Sequence, residues 1–473
     1  MGALNKGGCL ALSQGVVALS SLIRNIVIAR IISPEDFGIA SLFAVLVTFL
    51  EMMSGMSFDR QIVQRRSEGL TDFIGTVHTV EILRGAILSV TLFFLSDLYS
   101  SWFNLNDLGW AFKILALVPL LKGFINWDVA NQQRDLLFVN TALVDSIPQV
   151  VTVCLVLPLA VYFNDYRVVL FLVVLQVLIS VILTHILSRK TYYVRLNYEC
   201  LRRIFGFGWP LLLNGFLIFL VFQADRVIIG KLFSLELLGY FSAAFAMTIM
   251  PSVIVAKVYS IGMLPLLSRS QERGDDENPN LIMLMFHLSL LTGLLVLVCA
   301  VLFGGDIYVF AYGDQYIEGK SFFVFLGIMH SIRIIRVGPT IIATSRAQTK
   351  VILKSNIVRS LAVCFSILWV YSGGGVYGIL VAGIIGEVCA LIYQVNFVNY
   401  GAHDKTLTLM MNKLITVGLL IGSFVYYIGQ YWFVSDIYNF IFLVFFILLF
   451  VFMWLVLFDD CLNYKKIIKV INE

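Results

Sequence analysis

Along the chain, apolar runs of about twenty residues alternate with short polar breaks from one end to the other. A helix needs about 20 mostly apolar residues to cross the hydrocarbon core of a bilayer. On that measure spans are predicted near 8–30, 36–56, 77–97, 108–126, 143–163, 167–187, 208–229, 235–256, 281–303, 320–342, 353–371, 375–396, 413–431 and 438–458. The runs 167–187 and 438–458 are almost purely Leu, Val, Ile and Phe. The pattern therefore predicts an all-α polytopic membrane protein of about 14 transmembrane helices. The first apolar stretch continues to Ile32 without a small-residue cleavage site, so a span is expected there and not a cleaved signal. No loop exceeds about thirty residues, short of the ~50 that a domain needs, so the bundle itself is expected to do the work. The longest hydrophilic stretch, Ser268–Asn280, is read as a loop.

An even number of spans places both termini on one side, and the basic residues test that count. With the even loops and termini go Lys6, Arg60, Arg65, Arg66, Arg134, Arg189, Lys190, Arg195, Arg202, Arg203, Lys257, Arg269, Arg273, Arg346, Lys350, Lys354, Lys405, Lys413, Lys465, Lys466 and Lys469. The odd loops hold Arg30, Arg167, Lys231 and Lys320, a split of 21 to 4. Cytoplasmic loops collect Lys and Arg, so both termini are expected in the cytoplasm.

The chain also repeats itself. Arg24–Ser41 (RNIVIARIISPEDFGIAS) aligns with Asp225–Ser242 (DRVIIGKLFSLELLGYFS) at a constant offset of 201 residues. Ser33 matches Ser234, Glu35 matches Glu236, Gly38 matches Gly239 and Ser41 matches Ser242, with Arg30 and Lys231 both basic. In each copy a serine can N-cap the next helix and an acid follows in its first turn. Six spans separate the copies, so the halves share an orientation and an axis along the membrane normal relates them. The expected organisation is a six-helix bundle over 1–200, a second over 201–400, and two more helices with a cytoplasmic tail over 401–473.

Composition agrees and narrows the chemistry. The chain is 60% hydrophobic and 13% charged, with mean hydropathy +0.92; a soluble chain is nearer half apolar and a quarter charged. A net charge of +4 implies no nucleic-acid partner. Seven cysteines form no CxxC pair and five histidines are scattered, so neither metal nor cofactor is expected. There is no GxxxxGK[ST], which argues against ATP-driven pumping by this chain, and no HExxH or GxSxG.

Ionisable side chains inside spans are expensive and mark pathways or partners. Arg24 lies in the first span with Ser13 and Ser20 on its face and no acid there. Asp225 and Arg226 sit late in the seventh, and Glu81 and Arg84 have the i, i+3 spacing of an ion pair in the third. Arg333 and Arg336 share a face of the tenth beside His330, where two cations repel unless something anionic visits. Glu387 stands alone in the twelfth, and Lys122 and Arg359 read as anchors near cytoplasmic ends. Arg24, Arg226, Arg333 and Arg336 are the substrate-binding candidates, because arginine stays protonated and its planar fork suits phosphate oxygens. Glu81, Arg84, Asp225 and Glu387 are candidates for ion coupling or ion pairing.

The segments ARIISPEDFGIASL (Ala29–Leu42) and FQADRVIIGKLFSLELLGYFS (Phe222–Ser242) resemble the Wzx-type oligosaccharide flippases, in the branch with colanic acid exporters, of the superfamily that also holds MATE exporters and the lipid II flippase. The resemblance covers essentially the whole chain. It implies a MATE-like V-shaped bundle of two six-helix halves, often with two appended helices. It also implies movement of undecaprenyl-pyrophosphate-linked oligosaccharide from the cytoplasmic to the periplasmic leaflet by alternating access, driven by membrane potential or an ion gradient. Arg24, in SSLIRNIVIAR, matches the first-span arginine of lipid II flippases, although Asn25 follows where those carry an acid. The expected partners are polyprenyl-pyrophosphate-linked oligosaccharide and membrane lipids, with polymerase or export machinery as a further candidate.

Two other readings stay open. A MATE-type small-molecule antiporter would need carboxylates, with Glu81, Asp225 and Glu387 available. A membrane polysaccharide polymerase would need a long periplasmic loop, which the odd loops do not supply.

Overall fold

The computed structural model describes residues 3–64, 69–135, 137–272 and 279–398. The predicted spans 413–431 and 438–458, and the region 401–473 that contains them, lie outside the described residues. Those residues form α1 (Ala3–Ile31), α2 (Pro34–Ser54), α3 (Phe58–Gln64), α4 (Leu70–Trp102), α5 (Gly109–Leu115), α6 (Leu117–Lys122), α7 (Asp128–Arg134) and α8 (Val139–Phe163). There follow α9 (Arg167–Ile186), α10 (Tyr198–Leu232), α11 (Leu235–Glu272), α12 (Pro279–Leu302), α13 (Gly304–Tyr312), α14 (Lys320–Ser345), α15 (Thr349–Tyr371) and α16 (Tyr377–Phe397). Among the described residues eleven helices are long and apolar enough to cross a membrane. The protein is an all-helical, multi-pass membrane protein.

Each of these crossings falls on a predicted span. The exception is the fourth span, 108–126, which is broken into α5 and α6 at Ala116. The break has a local cause. Pro119 has no N–H to return to the carbonyl of Leu115, four residues earlier, so the ladder lapses where α5 ends. Elsewhere the helices outrun the predictions. α11 continues to Glu272, so the stretch read as a loop from Ser268 starts as helix.

The described chain divides into two compact units. Among the described residues, the first comprises 3–247, Tyr308–Phe322 and Ser366–Ile379, and the second Thr248–Ile307, Phe323–Phe365 and 380–398. Residues 201–247 pack with the first unit, so packing does not divide the chain at residue 200 as the repeat does.

In the first unit α1 lies along α8, α2 along α10, and α4 against α5 and α6. Phe43 of α2, Phe112 and Leu115 of α5, and Leu170 and Val177 of α9 form a shared core, with the rings of Phe43 and Phe112 5.2 Å apart. In the second unit Met285, Phe286, Leu290 and Leu297 of α12 pack with Ile335 and Ile342 of α14 and with Leu391 and Val395 of α16.

The repeat reappears as geometry. Ser33 Oγ accepts from the Asp36 amide (3.1 Å) at the start of α2, and Ser234 Oγ accepts from the Leu237 amide (3.2 Å) at the start of α11. These are the two caps expected from the sequence. The first turns of α2 and α11 then cross. A Cβ added at Gly38 would lie 2.9 Å from the Leu235 carbonyl carbon, and one at Gly239 2.8 Å from that of Pro34. Pro34 and Leu235, like Gly38 and Gly239, are 201 residues apart. Each copy therefore offers the same patch to the other, the reciprocal contact that a two-fold axis produces.

The same reciprocity explains two basic residues that depart from the charge rule. Arg30, at the end of α1, donates Nε to the Ala311 carbonyl (2.7 Å) and Nη2 to that of Phe310, at the end of α13. Its repeat partner Lys231, at the end of α10, donates to the Trp102 carbonyl at the end of α4. Each cation satisfies the carbonyls of a helix C-terminus, where the helix dipole favours positive charge.

Candidate functional site

Four helical pieces of the first unit, α1, α6, α8 and α9, surround a cavity of about 380 Å³. Gln14 enters it from α1, Lys122 from α6, Asp145 and Gln149 from α8, and Gln176 and Ser180 from α9. Helical spacing puts them there. Asp145, Gln149 and Thr152 follow one stripe of α8, and Gln176 and Ser180 one stripe of α9. The Asp128 carboxylate fixes the far end of α9, accepting the backbone amides of Arg189 (2.7 Å) and Lys190 (3.1 Å).

Arg24 closes one end of this polar strip. Its Nη1 donates to Gln176 Oε1 (2.6 Å), Gln149 Oε1 (3.3 Å) and Thr152 Oγ1 (3.3 Å). All three acceptors are neutral. They orient the guanidinium and satisfy part of its donor set without cancelling its charge. Farther along α1, Gln14 Nε2 donates to Asp145 Oδ2 (3.2 Å).

The other candidates of this unit have different surroundings. Arg226 donates Nη1 to Gln223 Oε1 (2.9 Å), one turn back on α10, and lies over the Phe245 ring at 4.3 Å. That is a cation–π contact with an uncharged partner. Asp225, its chain neighbour, adds a carboxylate whose charge also acts on Arg226. Glu81 and Arg84 form the ion pair their spacing predicted, at 2.7 Å, and Arg84 also donates to the Ser54 carbonyl (2.8 Å). Lys122, read as an anchor, is paired with Glu51 of α2.

In the second unit two expectations are corrected. Glu387 does not stand alone. Its Oε1 meets Arg333 Nη2 (2.7 Å) and Arg359 Nη2 (2.6 Å), and its Oε2 lies 3.3 Å from Arg336 Nε. Nor is Arg359 an interfacial anchor. It is 7% exposed and belongs to this cluster. The anion that makes the neighbouring Arg333 and Arg336 tolerable is thus a side chain of the chain itself, reaching from α16 across to α14. Pairing of this kind is what a buried carboxylate needs, and three guanidiniums around it give a rigid ionic node.

The sequence reading gives Arg359 no role beyond an anchor, and none to the cavity residues Gln14, Asp145, Gln149, Gln176 and Ser180 or to Thr152, which accepts from Arg24. Four of the five cavity residues are neutral, so charge within spans does not mark them. The available signal was the recurrence of amides at helical spacing in otherwise apolar spans, above all Gln176 in α9.

Comparison with known proteins places the fold. The solved structure of the lipid II flippase MurJ in an inward closed conformation superposes with a TM-score of 0.72 at 16% identity, covering 97% of this chain and 99% of that one. An inward-facing multidrug resistance MATE family transporter of the MOP superfamily superposes at 0.66 and 15% identity, covering 84% and 96%. At this identity the likenesses show the fold alone, which the chain shares with both. A Klebsiella pneumoniae protein described as an uncharacterized membrane protein in the cps region is 20% identical over 390 residues, 81% of this chain and 80% of that protein. Residues 27–320, from the end of α1 through the Gly38–Gly239 crossing to the start of α14, match the family model described as polysaccharide biosynthesis protein, and the chain belongs to that family.

Proposed function

We propose that the chain is a flippase of the bacterial inner membrane that moves undecaprenyl-pyrophosphate-linked oligosaccharide repeat units from the cytoplasmic to the periplasmic leaflet by alternating access, with both termini in the cytoplasm. The observation that carries the reading is Arg24. A guanidinium held within a membrane helix by uncharged acceptors alone keeps its full charge for a visiting anion. A pyrophosphate is such an anion, and charge-assisted N–H···O bonds to it are stronger than those Arg24 makes to amides. Arg226, held by Gln223 and the Phe245 ring with Asp225 as a charged neighbour, is a second candidate for the same chemistry from α10. Arg333 and Arg336 are assigned to binding only secondarily, because Glu387 already engages both. Family membership supports the polysaccharide context, and the fold supports a carrier over an enzyme. No chemical step on the glycan is assigned to the chain.

The test is the sidedness of undecaprenyl-pyrophosphate oligosaccharide in spheroplasts with and without the protein. Without it, lipid-linked units are expected to accumulate on the cytoplasmic leaflet. Wild type should reverse this, and Arg24→Ala should slow it by about tenfold or more at equal protein level, the scale of a lost charged hydrogen bond. Equal delivery to the periplasmic side without the protein, and without a redundant flippase, would replace this reading with a small-molecule antiporter.

A further inference from the structure

The cavity beside Arg24 has a composition that the phosphate chemistry does not use. We infer that it is a sugar subsite, which receives the ring attached directly to the pyrophosphate while Arg24 takes the phosphate; the inference rests on the flippase reading above.

Three observations point to a sugar. Arg24 occupies Oε1 of both Gln149 and Gln176, which leaves the Nε2 groups of these two lining residues as the donors of their amides. Asp145, 3.2 Å from Gln14 Nε2, adds carboxylate acceptors, and the Ser180 hydroxyl both donates and accepts. Donors and acceptors in alternation suit hydroxyl and acetamido groups, which present both. Between them the aliphatic Val17, Val144, Pro148 and Val177 offer surface for the C–H face of a ring. The volume, about 380 Å³, is at the lower end of the ~300–1,000 Å³ of small-molecule sites. It suits a single sugar ring.

The competing occupants fit less well. A drug-like cation would find a single carboxylate, Asp145, already in contact with Gln14, and no aromatic ring among the lining residues. An inorganic cation needs several oxygen ligands at once, yet both glutamine oxygens are committed to Arg24. Position also favours the sugar. Gln149 and Gln176 both line the cavity and accept from Arg24, so the cavity begins one side chain away from the guanidinium, where a ring on a bound phosphate would lie.

The experiment compares binding of two probes to the purified full chain in nanodiscs: undecaprenyl pyrophosphate, and the same lipid carrying one N-acetylhexosamine. Wild type is expected to prefer the glycosylated lipid by about tenfold, equivalent to about 1.4 kcal/mol. Gln14→Leu with Ser180→Val, which leaves the partners of Arg24 in place, should bring the ratio towards one while binding of the bare lipid is kept. Gln14→Asn is the variant least able to disturb folding and should lower the ratio in part. Wild type binding both lipids equally would overturn the sugar subsite and leave the flippase reading standing. Binding of neither lipid would overturn both. A sodium-dependent rise in thermal stability lost in Asp145→Asn, with the lipid ratio unchanged by the Gln14 and Ser180 substitutions, would reassign the cavity to a cation.

Discussion

Glu387→Ala is expected to destabilise the protein by about 3–5 kcal/mol, the scale measured when one partner of a buried ion pair is removed and the other stays. Three guanidiniums meet one carboxylate, with Arg333 and Arg359 both on Oε1 at 2.7 and 2.6 Å. All four side chains are nearly closed to solvent. With the carboxylate gone, the cations are left repelling one another in a medium of low dielectric. Arg336→Met should behave differently. Its contact with Glu387, at 3.3 Å, is the longest of the three. Its removal relieves repulsion as well as attraction, so a loss of no more than about 1 kcal/mol is expected, as for a volume-conserving swap. The check is thermal unfolding of the detergent-solubilised protein. Glu387→Ala should fall by on the order of 10 °C and Arg336→Met by a few degrees at most. Equal losses in the two variants would mean that Glu387 is one partner among equals and not the centre of the node.

The helices were legible in the sequence because spans are written in consecutive residues. Eleven of the crossings in the described chain were placed by apolar runs alone. The break of the fourth at Ala116 was not legible, because a mean over twenty residues does not register Pro119, one residue whose missing N–H interrupts a helix. Side-chain partners across helices are a different kind of information. Glu387 and Arg333 are 54 residues apart, and Glu387 and Arg359 are 28 apart. No spacing rule within one helix can connect them, so Glu387 looked solitary and Arg359 looked like an anchor. Glu81 and Arg84 were found for the opposite reason, since an i, i+3 pair is local. The cavity lining escaped because a glutamine in a span costs less than a charge and so attracts less notice. The repeat was readable as a string of identities, yet the string does not say that the matched glycines touch.

That contact makes the second strong prediction. Gly38→Ala and Gly239→Ala should each destabilise the protein by about 2–3 kcal/mol, the upper part of the range for overpacking a close contact. A methyl at either position meets backbone, the carbonyl of Leu235 or of Pro34, which cannot rotate away as a side chain would. The helices must move apart. Because the contact is reciprocal, either substitution forces the same separation of α2 from α11. The double variant should then cost little more than one single, a coupling that independent sites would not show. Gly206→Ala is the control. It lies in α10 with nothing within 4 Å of the added carbon, and alanine there should be neutral or stabilising by up to about 1 kcal/mol through helix propensity. Unfolding midpoints of the two singles, the double and the control, taken in the same detergent, decide the point. Additive losses at Gly38 and Gly239 would mean that the two glycines serve separate packing contacts. A double variant no worse than a single would mean that α2 and α11 meet at one shared crossing, and that the 201-residue repeat is built around it.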